Sequence, residues 1–138
     1  MADMPGFVER LVTATNAHDL EALVDCFAED YVNETPAHPP RGFRGREQVR
    51  RNWSAIFAAV PDITVRVLAC AVGDEAVWTE WEMSGTRRDG GPHLMRGVIV
   101  FVVRDGRAVT ARFYLEPVET SSGDVDDAVR GATSARPA

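Results

Sequence analysis

The chain has no lysine: all 15 of its basic residues are arginine. Without a lysine amine there is no Schiff-base chemistry and no attachment point for pyridoxal phosphate. A nucleotide P-loop is excluded as well, because its lysine must reach the phosphates. Cysteine is nearly as scarce. Cys26 and Cys70 lie far apart with no CxxC spacing, and they read as two reduced thiols instead of a disulfide or a redox pair. The three histidines, His18, His38 and His93, are too scattered to form a ligand set, so neither a metal site nor a cofactor is expected. The longest apolar run, Gly97–Val103, is far too short to span a bilayer, and no charged-then-apolar leader opens the sequence. We therefore expect a cytoplasmic protein with no membrane partner. A net charge of −6 with dispersed arginines argues against a nucleic-acid partner.

What remains is an ordinary globular composition, 45% apolar and 26% charged over 138 residues, enough for one domain around one core. The first helix is expected to begin at Pro5, a favoured first helical position, and to run to about Ala17 with Phe7, Val8, Leu11, Val12 and Thr15 inward. Asp19 reads as the N-cap of a second helix, with Glu21 in its first turn and Leu20, Leu23, Val24 and Phe27 at helical spacing. A strand is expected at Tyr31–Thr35, halted by Pro36, Pro39 and Pro40. A third helix opens near Gly45, buries Val49, Trp53, Ile56, Phe57 and Val60, and stops at Pro61. The apolar period then changes from helical to alternating, which predicts strands near 62–71, 75–87, 93–104 and 107–118. Gly73-Asp74, Asp89-Gly90-Gly91 and Asp105-Gly106 supply the turns, the last a tight-hairpin signature. Residues 1–118 form the expected domain. The small, polar, acidic stretch 119–138 reads as a disordered tail.

Two helices, a strand, a third helix and a four-strand meander resemble the nuclear transport factor two-like superfamily, and within it the SnoaL-like branch. The resemblance is carried by NAHDLEALVDCFAEDYV, GFRGREQVRRNW and RDGRAVTARFYLEPVE, and it covers roughly residues 5–118. It implies an α+β fold: a cone-shaped barrel with three helices packed on a strongly curved, mostly antiparallel sheet. It also implies pairing through the sheet into a homodimer. The fold alone names no activity, because it hosts many.

Three enzyme types on this fold imply specific site positions. The ketosteroid isomerase pattern puts its general base at Thr35, its tyrosine at Leu11 and its protonated acid near Ile99. The pattern of limonene-epoxide-hydrolase-like enzymes puts a tyrosine and an asparagine at Asn33 and Thr35, and its charged cluster at Trp81, Met83 and Phe113. SnoaL-type polyketide cyclases rely on a pocket acid that no residue here clearly supplies. In the first two patterns the charged positions are occupied by residues that cannot move a proton.

Strand parity sorts the remaining candidates. Trp81 and Met83, then Met95, Gly97 and Ile99, then Ala111, Phe113 and Leu115 share one face. With Leu11, Asn33, Thr35, Trp53 and Phe57 they are the expected lining of an apolar pocket, or else the filling of a solid core. Trp78, Glu80, Glu82, Arg96, Arg112, Tyr114 and Glu116 share the opposite face, as a solvated or dimer-buried ladder of charge pairs. Only a reversed register would turn Glu80, Arg96, Tyr114 and Glu116 into the cone as a catalytic set. His38 has a suitable pKa for acid–base work but stands in an irregular proline-rich bend. His18 and His93 read as surface residues. Arg44 and Arg46 flank the start of the third helix, where solvated arginines compete with an anion site. Neither a Ser/His/Asp nor a Cys/His arrangement is present.

The expected function is the binding of a lipophilic small molecule in an apolar cone. If chemistry accompanies binding, it is cofactor-free isomerisation, cyclisation or hydrolysis of a polyketide- or terpenoid-like substrate. The alternative is a non-catalytic binding or dimeric interaction module that has lost the usual pocket acids.

Overall fold

Pro5 and Asp19 set the two helices with which the chain begins. Pro5 stands immediately before helix α1 (Gly6–Asn16), and the Asp19 carboxylate caps helix α2 (Leu20–Asp25) by accepting the Ala22 N–H at 3.1 Å. Between them His18 adopts a left-handed backbone (φ 54°), a conformation that must be held from outside. It is held: His18 Nε2 lies 2.8 Å from the Ile63 carbonyl oxygen, and the ring stacks on Phe57 with centroids 4.6 Å apart. The expected surface histidine is therefore a half-buried clip between the helices and the sheet. The computed structural model describes residues 5–120 and 123–134; residues 1–4, 121–122 and 135–138, which belong to the expected domain and tail, lie outside that range.

Six strands follow the opening helices: β1 (Phe27–Glu34), β2 (Phe43–Arg44), β3 (Thr64–Val72), β4 (Val77–Thr86), β5 (Pro92–Arg104) and β6 (Arg107–Pro117). Helix α3 (Arg46–Ala59) lies between β2 and β3. The strands form one sheet in the order β2-β1-β6-β5-β4-β3, with β1 parallel to β6 and every other pair antiparallel. The sheet curls around the core without closing, because β2 and β3 remain unpaired edges. Strand β1 begins at Phe27, not at Tyr31. Helix α2 ends at Asp25, and the Ala108 N–H of β6 donates to the Cys26 carbonyl at 2.8 Å, which draws the chain into the sheet directly after the helix. Strand β2 was not expected; two residues after a proline bend carry no readable period.

Curvature has local causes. Register shifts occur between Val67 and Ala69 and between Val102 and Val103. Gly97 sits in the middle of β5 at φ 153°, opposite Trp81 on one side and Leu115 on the other. A Cβ there would overlap the Tyr114 carbonyl oxygen and lie 2.7 Å from Leu115 Cα, so only glycine lets β5 and β6 approach this closely. The Asp105-Gly106 turn has positive φ at both residues (53° and 76°), as the tight-hairpin signature predicts.

The three N-terminal helices cover the concave face. Phe7, Val8, Leu11, Ala14 and Thr15 of α1 are buried, with Leu23 and Val24 of α2, against Trp81, Met83, Ile99, Phe101, Ala108 and Ala111 of the sheet. Asn16 ties α1 to the edge strand β3 in the manner of a strand residue: its amide donates to the Val65 carbonyl at 3.0 Å, and its oxygen accepts the Val65 N–H at 2.7 Å. Trp81 is 1% exposed, and its indole N–H donates to Thr79 Oγ1 at 2.6 Å; that hydroxyl in turn donates to the Ile99 carbonyl at 2.7 Å.

The convex face carries the charge ladder. Glu82 accepts from both Arg66 and Arg96 at 2.9 Å, and those two bonds hold its carboxyl below the ordinary range. Asp25 is lowered in the same way by Arg107 across 2.8 Å. Stretch 119–138 holds a fourth helix, α4 (Val125–Thr133), where a disordered tail was expected. Its start is a reciprocal capping box between Asp124 and Asp127, a local signal that an acidic composition had obscured. Every residue of α4 is exposed.

Candidate functional site

The inner side chains do not fill the cone. A cavity of about 380 Å³ remains between α3 and the sheet, which lies within the usual range for small-molecule sites. Its walls come from β1 (Phe27, Tyr31, Asn33), from Phe43 of β2, and from the inward face of α3 (Val49, Asn52, Trp53, Ile56). Met83, Met95, Phe113 and Leu115 close the sheet side. This vacancy explains why Trp53 and Ile56, on the buried stripe of α3, are only half-buried.

Most of the expected lining stands where parity placed it: Asn33, Thr35, Trp53, Met83, Met95, Phe113 and Leu115 all border the cavity. Six residues do not, among them Gly97 and the buried Ala111. Leu11, Trp81 and Ile99 surround a void of only about 20 Å³ below it, too small for a ligand, so they form a packed floor. Phe57 points to His18 and Trp53 and borders neither space.

The catalytic candidates separate as well. Met83 pairs with Met95 and Trp81 with Gly97, while Glu80 pairs with Val98 and Val98 with Tyr114, so the charged set faces outward. Glu80, Arg96 and Tyr114 are exposed on the convex face, and the reversed register that catalysis by them would need is not adopted. Two candidates 78 residues apart are brought together: His38 Nε2 lies 2.7 Å from Glu116 Oε1 at the end of β6. Both are partly exposed, and neither borders the cavity.

Inside, the polar equipment is small. Tyr31 is buried and donates its hydroxyl to Asn33 Oδ1 at 2.8 Å. Burial pushes the Tyr31 phenol far above its ordinary pKa, so it stays a neutral donor. With its oxygen engaged, Asn33 has its amide nitrogen left over. Among the described residues no buried side-chain nitrogen or oxygen lacks a partner, and this nitrogen bonds to none of them, so it is accessible where Asn33 borders the cavity. Thr35 adds a hydroxyl, and Asn52 is held by the Gln48 amide at 2.7 Å. The resemblance expects a tyrosine and an asparagine at Asn33 and Thr35; a bonded pair of those types lies one inward step earlier, at Tyr31 and Asn33. Alternation along β1 from Asn33 was the signal for Tyr31.

Arg41 was not anticipated at all. It ends a 3₁₀ turn, Pro39–Arg41, in a segment without periodicity, and among the described residues it is the one cation bordering the cavity. No Asp, Glu, His or Cys lines the cavity among the described residues. Nor do the described residues contain a cluster of three or more potential metal ligands.

An α+β cone with three helices on a curled sheet and a cavity between them defines the ketosteroid-isomerase-like class of folds. The chain belongs to the SnoaL-like domain family, which it matches over residues 8–111. Among solved structures, IdmH from Streptomyces antibioticus, a proposed polyketide cyclase, is 29% identical, with 80% of this chain and 89% of that one covered and a TM-score of 0.69. A Catenulispora acidiphila protein of ketosteroid isomerase-like fold, in complex with trimethylamine, is 18% identical over 81% of this chain and 87% of its own, at a TM-score of 0.71. A Mycobacterium tuberculosis protein in complex with estradiol-17β-hemisuccinate is 21% identical over 78% and 89%, at 0.66. Among curated proteins, none matches.

Proposed function

We propose that the protein binds a lipophilic small molecule of polyketide or terpenoid character in this cavity, with the Asn33 amide donating to a carbonyl or hydroxyl oxygen of the ligand. The observation that carries the reading is the Tyr31–Asn33 pair set in an apolar wall: its 2.8 Å bond fixes the amide, and the free nitrogen faces the space. A donor fixed before binding loses little entropy on use, and beside apolar walls its bond strengthens. Likeness to a proposed polyketide cyclase and to a steroid-ester complex agrees with a flat, oxygenated ligand. Catalysis by cofactor-free isomerisation, cyclisation or water addition would have to take its proton acceptor from outside the lining, where the His38–Glu116 pair is the nearest in kind. Binding is therefore the leading reading, and the non-catalytic module fits the same residues.

Fluorenone and fluorene differ by one carbonyl and test this directly. Asn33→Leu is expected to weaken fluorenone binding about five- to tenfold, the worth of one net hydrogen bond, while moving fluorene much less. Equal losses for both probes, or none for fluorenone, would count against the assigned donor.

We further propose that the convex face joins two copies into a homodimer. Trp78 and Tyr114 are 48% and 43% exposed among its charge pairs, a combination of aromatic and paired charge suited to an interface. Light scattering at micromolar concentration should give a dimer mass for the native chain and a monomer for Trp78→Glu. A native monomer would end the proposal.

A further inference from the structure

Most arginines with described contacts spend their guanidinium on a partner: Arg66 and Arg96 on Glu82, Arg107 on Asp25, Arg50 on Glu21, Arg10 on the Gly106 carbonyl. Arg41, like Arg44, Arg46, Arg104 and Arg112, has no side-chain hydrogen bond or ion pair among the described residues, but of these five it alone borders the apolar cavity, exposed at its edge. Its backbone, in contrast, is fixed. Two prolines precede it, the Arg41 N–H donates to the His38 carbonyl at 2.9 Å, and the Gly42 N–H donates to the Pro39 carbonyl at 3.1 Å. The turn also presses on the strand that holds the donor pair: a Cβ on Gly42 would come 3.2 Å from the Asn33 carbonyl oxygen. Arg41 is therefore carried on a rigid support next to Asn33, at the point where the cavity meets solvent.

Resting on the binding function proposed above, we infer that Arg41 selects ligands that are lipophilic acids: the apolar body and its oxygen lie inside on Asn33, and an ionised carboxylate at the mouth pairs with the Arg41 guanidinium. A free guanidinium offers a planar fork of donors that matches a carboxylate with two parallel bonds. Beside apolar walls the pair is less screened than on an open surface. The net charge of −6 does not prevent this, since it acts largely through solvent and salt while Arg41 acts in contact, and near the turn the Glu116 carboxylate is already held by His38. Being unpaired where the cavity opens is the argument. An internal carboxylate partner would leave the guanidinium nothing to give a ligand.

The test compares 1-pyrenebutyric acid with its methyl ester, titrated against the full chain at pH 7.5 and low salt. The acid is expected to bind about tenfold more tightly than the ester, the scale of a charge-assisted bond. Arg41→Met should bring the acid to the affinity of the ester, and Arg41→Lys should keep part of the preference, because a point charge replaces a fork. Raising the salt should shrink the preference in the native protein. Equal affinities in the native protein, or a preference that survives Arg41→Met, would overturn the role of Arg41 while leaving the cavity's function standing. Failure of both probes to bind would overturn the binding function, and this inference with it.

Discussion

Gly97→Val is expected to remove at least about 4 kcal/mol of folding stability, a large part of the roughly 5–15 kcal/mol that holds a domain of this size. Two effects add. The backbone at φ 153° disfavours any side chain, and the new Cβ would overlap the Tyr114 carbonyl oxygen and crowd Leu115 Cα, which are backbone atoms that cannot rotate away. Relief would require β5 and β6 to separate beside Met95 and Leu115, which line the cavity under α3. Urea denaturation followed by far-ultraviolet circular dichroism measures the loss. A midpoint within about 1 kcal/mol of the native protein would show that the strands have room to spare and that curvature does not depend on this glycine.

Arginine at position 113 is expected to abolish uptake of a neutral flat probe such as pyrene, by about a hundredfold or more, in a chain that still folds. Phe113 is half-buried on the cavity wall, so a long cationic side chain there occupies the space and puts a charge against any apolar ligand, while its head has the cavity and solvent to reach. Arginine at position 81 should behave otherwise. Trp81 is on the packed floor and bonded to Thr79, so its replacement buries an unpaired charge and should unfold the protein before ligand binding can be asked about. Pyrene titration of folded Phe113→Arg decides the first claim, and thermal melting of Trp81→Arg the second. Retained uptake in Phe113→Arg would mean that ligands sit elsewhere.

The contrast between positions 81 and 113 also shows where the sequence stopped being informative. Both residues are apolar, both belong to the same alternating set, and parity correctly placed both on the concave face. Parity has no depth coordinate, however. Whether an inward residue meets packed neighbours or empty space depends on how far α3 stands from the sheet at that point, and α3 is separated from these strands by many residues of chain. The same limit explains His18. Its position between two helices was readable, but the Ile63 carbonyl that holds it comes from the turn before β3. The pairing of His38 with Glu116 joins a proline bend to the last strand and had no local signal.

By itself the sequence determined the order of the elements other than β2 and α4, the helix starts at Pro5, Asp19 and Gly45, the Asp105-Gly106 turn, and which residues face the core, because caps, turns and periodicity are local properties written in neighbouring side chains. Through its blocks near 16–52 and 104–119 it also determined the family. The tertiary structure alone decided that the cone is left partly empty, that the Asn33 amide meets the empty part, and that Arg41 stands free at its mouth. Those are relations between segments distant in sequence, set by how α3 stands over the sheet and by where the Pro39–Arg41 turn folds back. No spacing rule reports them.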